Sequence, residues 1–310
     1  MTTHSALSVT TKHNAATLGL LLSLGSATGF SMKAIFVKLA YVYGVDAETL
    51  LALRMAYSLP VFLWIGVHAQ WRGEHRLAGR DWLTLLILGF LGYYLASYLD
   101  FLGLNHISAS LERLILFSYP TLIVLLSALF LGKRVSATMA MALLICYAGV
   151  GLAVTHDVSV APSQQAVVLG AALVFGSALS YSLYFIGNGQ VVGRIGPQNL
   201  TGWASTFACL ISLAQFFLLR PADSLLQPWQ VHAYAFAMAM FSTVLPVWCL
   251  SQAIRLIGTG KVAVMSNLGP ILTMGFAWVL LGEQLSAFQL IGAGLVISGV
   301  LLVAREKDRT

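Results

Sequence analysis

Charge is what this sequence has least of. Only 9% of its 310 residues are Asp, Glu, Lys or Arg, where a soluble domain carries roughly a quarter. No stretch is polar enough, or long enough, to fold as a soluble domain of its own. Cysteine is equally scarce: Cys146, Cys209 and Cys249 all sit inside apolar runs. They show no disulfide or metal-ligand spacing, and a thiol so placed behaves as a small hydrophobe. Catalytic constellations are missing too. There is no Gly-x-Ser-x-Gly and no nucleophile–His–acid set, and His68 and His106 fall at opposite faces by the count of apolar runs. These absences argue against a membrane-embedded enzyme, whose reacting groups must meet at one depth. No cofactor or metal is expected. The formal net charge of +6 comes from Lys and Arg in loops, so it reads as topology rather than affinity for nucleic acid.

Apolar residues fill the space left, at 58% of the chain. A helix needs roughly 20 of them to cross about 30 Å of hydrocarbon. Ten windows qualify, near 16–39, 48–69, 82–102, 107–131, 135–155, 166–188, 198–219, 231–253, 259–282 and 285–304. Lipid offers no hydrogen-bond partners and strand-type alternation is absent, so the spans are helices. The first window is not a cleavable signal: it is long, contains Lys33 and Lys38, and its pattern recurs at 169–186. The fold class predicted is an all-α integral membrane protein with ten transmembrane helices.

That recurrence runs through the whole chain. Leu18-Gly19, Gly25-Ser26-Ala27, Ser31 and Ile35 reappear 151 residues later as Leu169-Gly170, Gly176-Ser177-Ala178, Ser182 and Ile186. Ile107, Pro120, Leu131-Gly132 and Gly149-Val150 reappear at an offset of 150 as Ile257, Pro270, Leu281-Gly282 and Gly299-Val300. Two repeats of five spans are expected, at 16–155 and 166–304. With both termini cytoplasmic, inner segments hold twelve of the 17 Lys and Arg, among them Lys12, Arg76, Lys133, Arg134, Arg305, Lys307 and Arg309. Outer loops hold only Lys38 and Arg220, as the positive-inside rule demands. Five spans is an odd number, so the second repeat enters the membrane inverted. Its loops agree: Lys133-Arg134 is inside, while the copy, Glu283-Gln284, is outside and has lost its positive charge.

Leu-Gly-Pro at 268–270, Leu-Leu-Gly-Glu-Gln-Leu-Ser at 280–286 and Ile-Gly-Ala-Gly-Leu-Val-Ile-Ser-Gly-Val at 291–300 resemble the end of an EamA repeat. Ile-Ser-Ala-Ser at 107–110, Tyr-Pro at 119–120 and Leu-Gly-Lys-Arg at 131–134 resemble the same pattern in the first copy. The resemblance is to the EamA family of the drug/metabolite transporter superfamily and covers 16–304. Two positions depart from it: Lys133 replaces a common acidic residue, and Gly269 replaces the acidic residue often found before the proline of the ninth span. The resemblance implies a bacterial inner-membrane carrier with a central cavity between the repeats, surrounded by the first, third, fourth, sixth, eighth and ninth spans. It also implies that the fifth and tenth spans, with Gly149, Gly151, Gly292, Gly294 and Gly299, pack together outside the cavity, where a homodimer would form if the chain is not monomeric.

Candidate cavity residues are Phe30, Ser31, Lys33, Tyr94, Tyr98, Tyr119, Tyr181, Ser182, Asn188, Trp248 and Asn267, since aromatics offer apolar faces with polar tips. Lys33, Arg54, Asp100, Glu112 and Arg113 are candidate gate or ion-pair residues, because charge within a span is expensive and tends to be functional. Their second-repeat counterparts are uncharged, Tyr184 standing for Lys33 and Leu250 for Asp100. Lys33 or Arg113 could instead hold a substrate carboxylate. Pro120 and Pro270 are candidate hinges, each removing a backbone donor mid-span.

The function expected is a secondary transporter that exports small metabolites, amino acids foremost, by alternating access. Amino acids rest on the resemblance alone. Exporters of drugs and quaternary amines, or of purines and nucleotides, are alternatives within the class, and a channel is the alternative outside it. Asp100 and Glu112, the only in-span carboxylates, fall near the outer surface by this count, so facilitated export is expected over proton coupling.

Overall fold

The computed structural model describes the backbone of residues 3–73, 77–132 and 135–307, and side chains within 17–304 apart from 74–76, 133–134, 259–260 and 263. The inner charges Lys12, Arg76, Lys133, Arg134, Arg305, Lys307 and Arg309 lie outside the described side chains. Ten helices are long and apolar enough to cross a membrane. In chain order, spans 1 to 5 are Thr17–Tyr41, Ala47–Arg72, Gly79–Leu104, Ala109–Leu131 and Ala137–Val160. Spans 6 to 10 are Gln164–Ile195, Pro197–Leu219, Trp229–Gly258, Val264–Leu281 and Ala287–Ala304. No strand occurs among the described residues.

Short polar caps start the spans. Asp46, Ser108, Ser136 and Ser163 accept from the backbone N–H groups of Thr49, Leu111, Met139 and Ala166 at the heads of spans 2, 4, 5 and 6. Such caps satisfy donors that a helix leaves open at its first turn. Spans 4 and 9 end alike, on Gly132 and Gly282 with φ of 65° and 67°, a left-handed conformation that favours glycine.

Two pairs of interruptions sit at matched positions. Span 3 contains a π-helical turn at Phe90–Leu95 and span 8 another at Met240–Val244, 150 residues apart. Span 4 stops at Leu116 and restarts at Tyr119; span 9 breaks at Asn267 and Leu268 and restarts at Gly269. Pro120 and Pro270 therefore occupy the first turn of a new half-helix. That is where a missing N–H is tolerated, so both helices stop and restart where the sequence suggested a kink.

The most extensive packings all join one repeat to the other: spans 2 with 7, 5 with 10, 1 with 8 and 3 with 6. Exchanging the repeats turns the 1–8 and 3–6 pairings into each other and the 2–7 and 5–10 pairings into themselves. Spans 5 and 10 approach at Gly149, Gly292 and Gly299, where an added Cβ would lie 2.7 Å from the carbonyl oxygen of Gly292, Gly149 and Ala142 respectively. Gly151 and Gly294 meet nothing within 4 Å. The two faces of these helices thus differ, one closed by backbone contact and one open.

Candidate functional site

The first helix of each repeat is fastened to the other repeat by two serines. Ser26 Oγ donates to the Pro246 carbonyl at 2.9 Å, and Ser31 Oγ shares its proton between the Ala27 carbonyl of its own helix at 2.7 Å and the Gly269 carbonyl at 3.1 Å. In the opposite sense, Ser177 Oγ donates to the Ala96 carbonyl at 2.7 Å, and Ser182 Oγ shares its proton between the Ala178 carbonyl at 2.7 Å and the Tyr119 carbonyl at 3.2 Å. The second member of each pair meets the broken helix at its restart. Ser31 and Ser182 are buried, and their hydroxyls are engaged by backbone at the seam between repeats.

Charge gathers beneath the outer ends of spans 1, 3 and 4, outer meaning the side predicted from the Lys and Arg distribution. Lys33 Nζ donates to Asp100 Oδ2 at 2.6 Å and stands 3.5 Å from Glu112 Oε1. Asp100 and Glu112 are 1% and 0% exposed, while Lys33 retains 17% of its side-chain surface. By helical rise, Asp100 lies about 6 Å inside the end of span 3 and Glu112 about 5 Å inside the start of span 4. Arg54 reaches toward the same cluster from span 2, donating to Ser97 Oγ at 3.3 Å and Thr243 Oγ1 at 3.2 Å. Its guanidinium also lies 5.5 Å from the centroid of the Phe101 ring. Thr243 belongs to the π turn of span 8, and donates in turn to the Met238 carbonyl at 3.0 Å.

Arg113 behaves differently. It makes no hydrogen bond or ion pair with a described side chain, and its Nε is buried without an acceptor. Its guanidinium lies against Gly269 at the restart of span 9, where an added Cβ would come within 3.1 Å of an Nη atom. Gly269 stands 12 residues before Leu281, so this contact is about 18 Å from the outer end of span 9. Arg113 thus aims a charge along the seam toward the middle of the bilayer.

Deeper in the bundle, tyrosines gather around Tyr184, the repeat counterpart of Lys33. Tyr93 and Tyr184 share a hydrogen bond at 3.0 Å, and Asn188 donates to the Tyr184 hydroxyl at 3.3 Å. Tyr181 packs its ring 5.7 Å from Tyr184 and 5.2 Å from Tyr119. Gly92, within the π turn of span 3, admits the Tyr184 ring: a Cβ there would fall 2.2 Å from its Cγ. The structure therefore brings Tyr119, Tyr181 and Asn188 into one cluster. Tyr94 and Tyr98 lie elsewhere on span 3, stacked on each other at 6.1 Å, with Tyr98 donating to Glu48 Oε1 at 3.2 Å. Phe30 is half-buried on span 1, Asn267 is buried at the break of span 9, and Trp248 is 54% exposed.

Above the charged cluster one carboxylate bridges the two repeats. Glu283, in the connection between spans 9 and 10, accepts from the Ala109 N–H at 2.8 Å, the Ser110 N–H at 3.2 Å and the Ser110 hydroxyl at 2.8 Å. A carboxylate at a helix N-terminus meets both free donors and the positive end of the helix dipole. A recess of about 280 Å³ opens beside this contact, lined in part by His106, His156, Asp157 and Gln289.

An EamA-like transporter family profile matches residues 17–155 and again 168–305. The chain belongs to that family. Among its relatives, the uncharacterized transporter YcbK of Bacillus subtilis is 29% identical over 296 residues, covering 92% of this chain and 93% of that protein. The uncharacterized inner membrane transporter YicL of Salmonella typhimurium is 25% identical over 232 residues, covering 74% and 75%. A solved structure titled only as the crystal structure of a protein superposes with a TM-score of 0.61 at 18% identity, covering 94% of this chain and 99% of the other. This EamA-like chain is an integral membrane transporter with two repeats of five spans. Tyr93, Tyr184, Thr243 and Glu283 went unrecognised as candidates in the sequence. The signal was available for the first three, because at the repeat offset Tyr184 stands for Lys33 and Thr243 for Tyr93.

Proposed function

We propose that this transporter moves amino acids, or small metabolites sharing their carboxylate, out of the cell by alternating access between its repeats. The observation that carries the reading is Arg113. Lys33, the other sequence candidate for a substrate carboxylate, is occupied by Asp100. Arg113 carries an unpartnered guanidinium at the junction of the two helix restarts, and a planar fork of donors suits a carboxylate. Tyr119 and Tyr181 offer polar-tipped aromatic walls nearby for the rest of the solute. In this reading the repeats occupy 16–155 and 166–304, both termini are cytoplasmic, and the membrane is the bacterial inner membrane, as the name of the Salmonella relative says of that protein.

The tyrosine cluster favours a second reading. Tyr93, Tyr119, Tyr181 and Tyr184 present π faces that attract quaternary ammonium ions. Counterflow in proteoliposomes separates the two, using labelled amino acids, purines and choline-type amines. Arg113→Gln is expected to slow amino-acid counterflow at least tenfold, from the about 1.5–3 kcal/mol of a charge-assisted hydrogen bond, and to spare the amines. Equal loss of all solutes in a folded variant, or counterflow of amines alone in the wild type, would remove the carboxylate assignment.

A further inference from the structure

Two buried carboxyl groups share one ammonium in this protein, and only one of them receives a hydrogen bond from it. Lys33 Nζ is committed to Asp100 Oδ2 at 2.6 Å and meets Glu112 Oε1 only at 3.5 Å. No donor reaches either Glu112 oxygen in hydrogen-bond geometry, and Asp100 Oδ1 is equally bare. Both carboxyl groups converge on that one ammonium, at 2.6 and 3.5 Å, so Asp100 Oδ2 and Glu112 Oε1 stand no more than 6.1 Å apart. Two carboxylate oxygens repel at that range unless a proton lies between them.

The surrounding charges do not resolve the deficit. On span 1, Lys38 faces Glu112 without an ion pair and the Tyr41 hydroxyl donates to the Phe101 carbonyl. On span 2, Arg54 is held by Ser97, Thr243 and the Phe101 ring. Arg113, next along span 4, turns its guanidinium to Gly269 and acts on Glu112 only through its charge, without an ion pair. Glu283, from the connection after span 9, caps Ala109 and Ser110. Spans 6, 9 and 10 contain no charged residue at this depth, and Asp157 on span 5 accepts from Gln289. An ionised, fully buried carboxylate without donors is strongly disfavoured.

We infer that Glu112, coupled to Asp100, is a proton-binding site of the transporter, occupied while the outer end is sealed and emptied when that end opens to water. The step balances simply: one proton adds to a Glu112 oxygen and is shared toward Asp100 Oδ1, and the same proton leaves to water when the carboxyl is hydrated. Transport is then proton-linked, contrary to the facilitated export that the sequence suggested.

Infrared difference spectroscopy of the full chain in liposomes, titrated between acidic and alkaline pH without substrate, tests this. The wild type should show a carboxylic-acid carbonyl band that persists well above the ordinary carboxylate range and then vanishes. Glu112→Gln, which copies the protonated shape, should remove the band. Asp100→Asn should also remove it, because Lys33 then becomes free to pair with Glu112. Asp157→Asn, a carboxylate held by Gln289, should leave it in place. A wild-type spectrum without the band overturns the proposal, and so does a band that survives in both Glu112→Gln and Asp100→Asn. The readout needs no substrate, so silence of amino acids in counterflow would defeat the carboxylate reading and leave this one standing.

Discussion

At the scale of the residue, the chemistry follows from which polar atoms are left over after the fold has taken what it needs. Ser31 and Ser182 show the subtraction, since their hydroxyls meet carbonyls at the helix restarts. Asp46 shows how such a contact depends on pH. Its carboxylate accepts from the Thr49 N–H at 2.9 Å and the Thr49 hydroxyl at 2.8 Å, and faces Arg220 Nε at 3.6 Å. Burial pushes its pKa up, but the Thr49 hydrogen bonds and the Arg220 charge outweigh burial and hold it below the usual range. A depressed folded-state pKa means stabilisation that is complete above the ordinary Asp value near pH 4 and lost as pH falls below it. Asp46→Ala should therefore destabilise by about 1 kcal/mol at neutral pH, the usual worth of a cap, and thermal unfolding in detergent should show the gap narrowing in acid. A gap independent of pH would mean the cap is not ionised. The sequence made Lys33, Asp100, Glu112 and Arg113 visible, because charge in an apolar run has no camouflage. It could not say which of them pair, since pairing depends on the rotation of three helices about their axes, which no spacing within one helix reports.

At the scale of the element, the duplicated features are the ones the fold uses twice. Both π turns and both helix restarts sit 150 residues apart, and a π turn is a frequent companion of function because it widens the helix locally. The number of spans was legible, since each needs an apolar run long enough to cross, but their lengths were not: span 6 runs Gln164–Ile195 where the apolar window ended at 188. The π turns were not, because one extra residue per turn leaves hydropathy unchanged. The glycines of spans 5 and 10 were legible as a set but not as individuals. Gly149 abuts the Gly292 carbonyl, whereas Gly151 meets open space. Gly149→Leu should cost about 1–3 kcal/mol by overpacking, while Gly151→Leu stays within about 0.5 kcal/mol of wild type. Thermal melts of the two variants in one detergent check this, and similar melts would mean that spans 5 and 10 separate easily.

At the scale of the whole molecule, the two repeats share a plan and differ in chemistry. Cross-repeat pairings are matched in kind, so either end could in principle close, yet the charged triad lies toward the outer end and its second-repeat counterparts are uncharged. A symmetric frame with unequal ends has two states of unequal energy, which a bound solute or proton can rebalance. Glu283 is the side chain best placed to set that balance, because its three accepted hydrogen bonds bind the second repeat to the head of span 4. Removing them should favour the outer-open state by about 1–3 kcal/mol, roughly 5- to 150-fold in population. Leu111, fully buried beneath the contact, supplies the reporter, and the native cysteines are all buried, so background labelling is low. A membrane-impermeant maleimide applied from the side carrying the 282–286 connection should label Leu111→Cys slowly and its Glu283→Ala derivative many times faster. Equal rates would show that the seal is held elsewhere, by the apolar packing of Ile107 and Leu111 rather than by the carboxylate. Faster labelling that reverts when the solution is acidified would join the two ends of the argument, since protonating Glu112 in the opened state favours closing over it again.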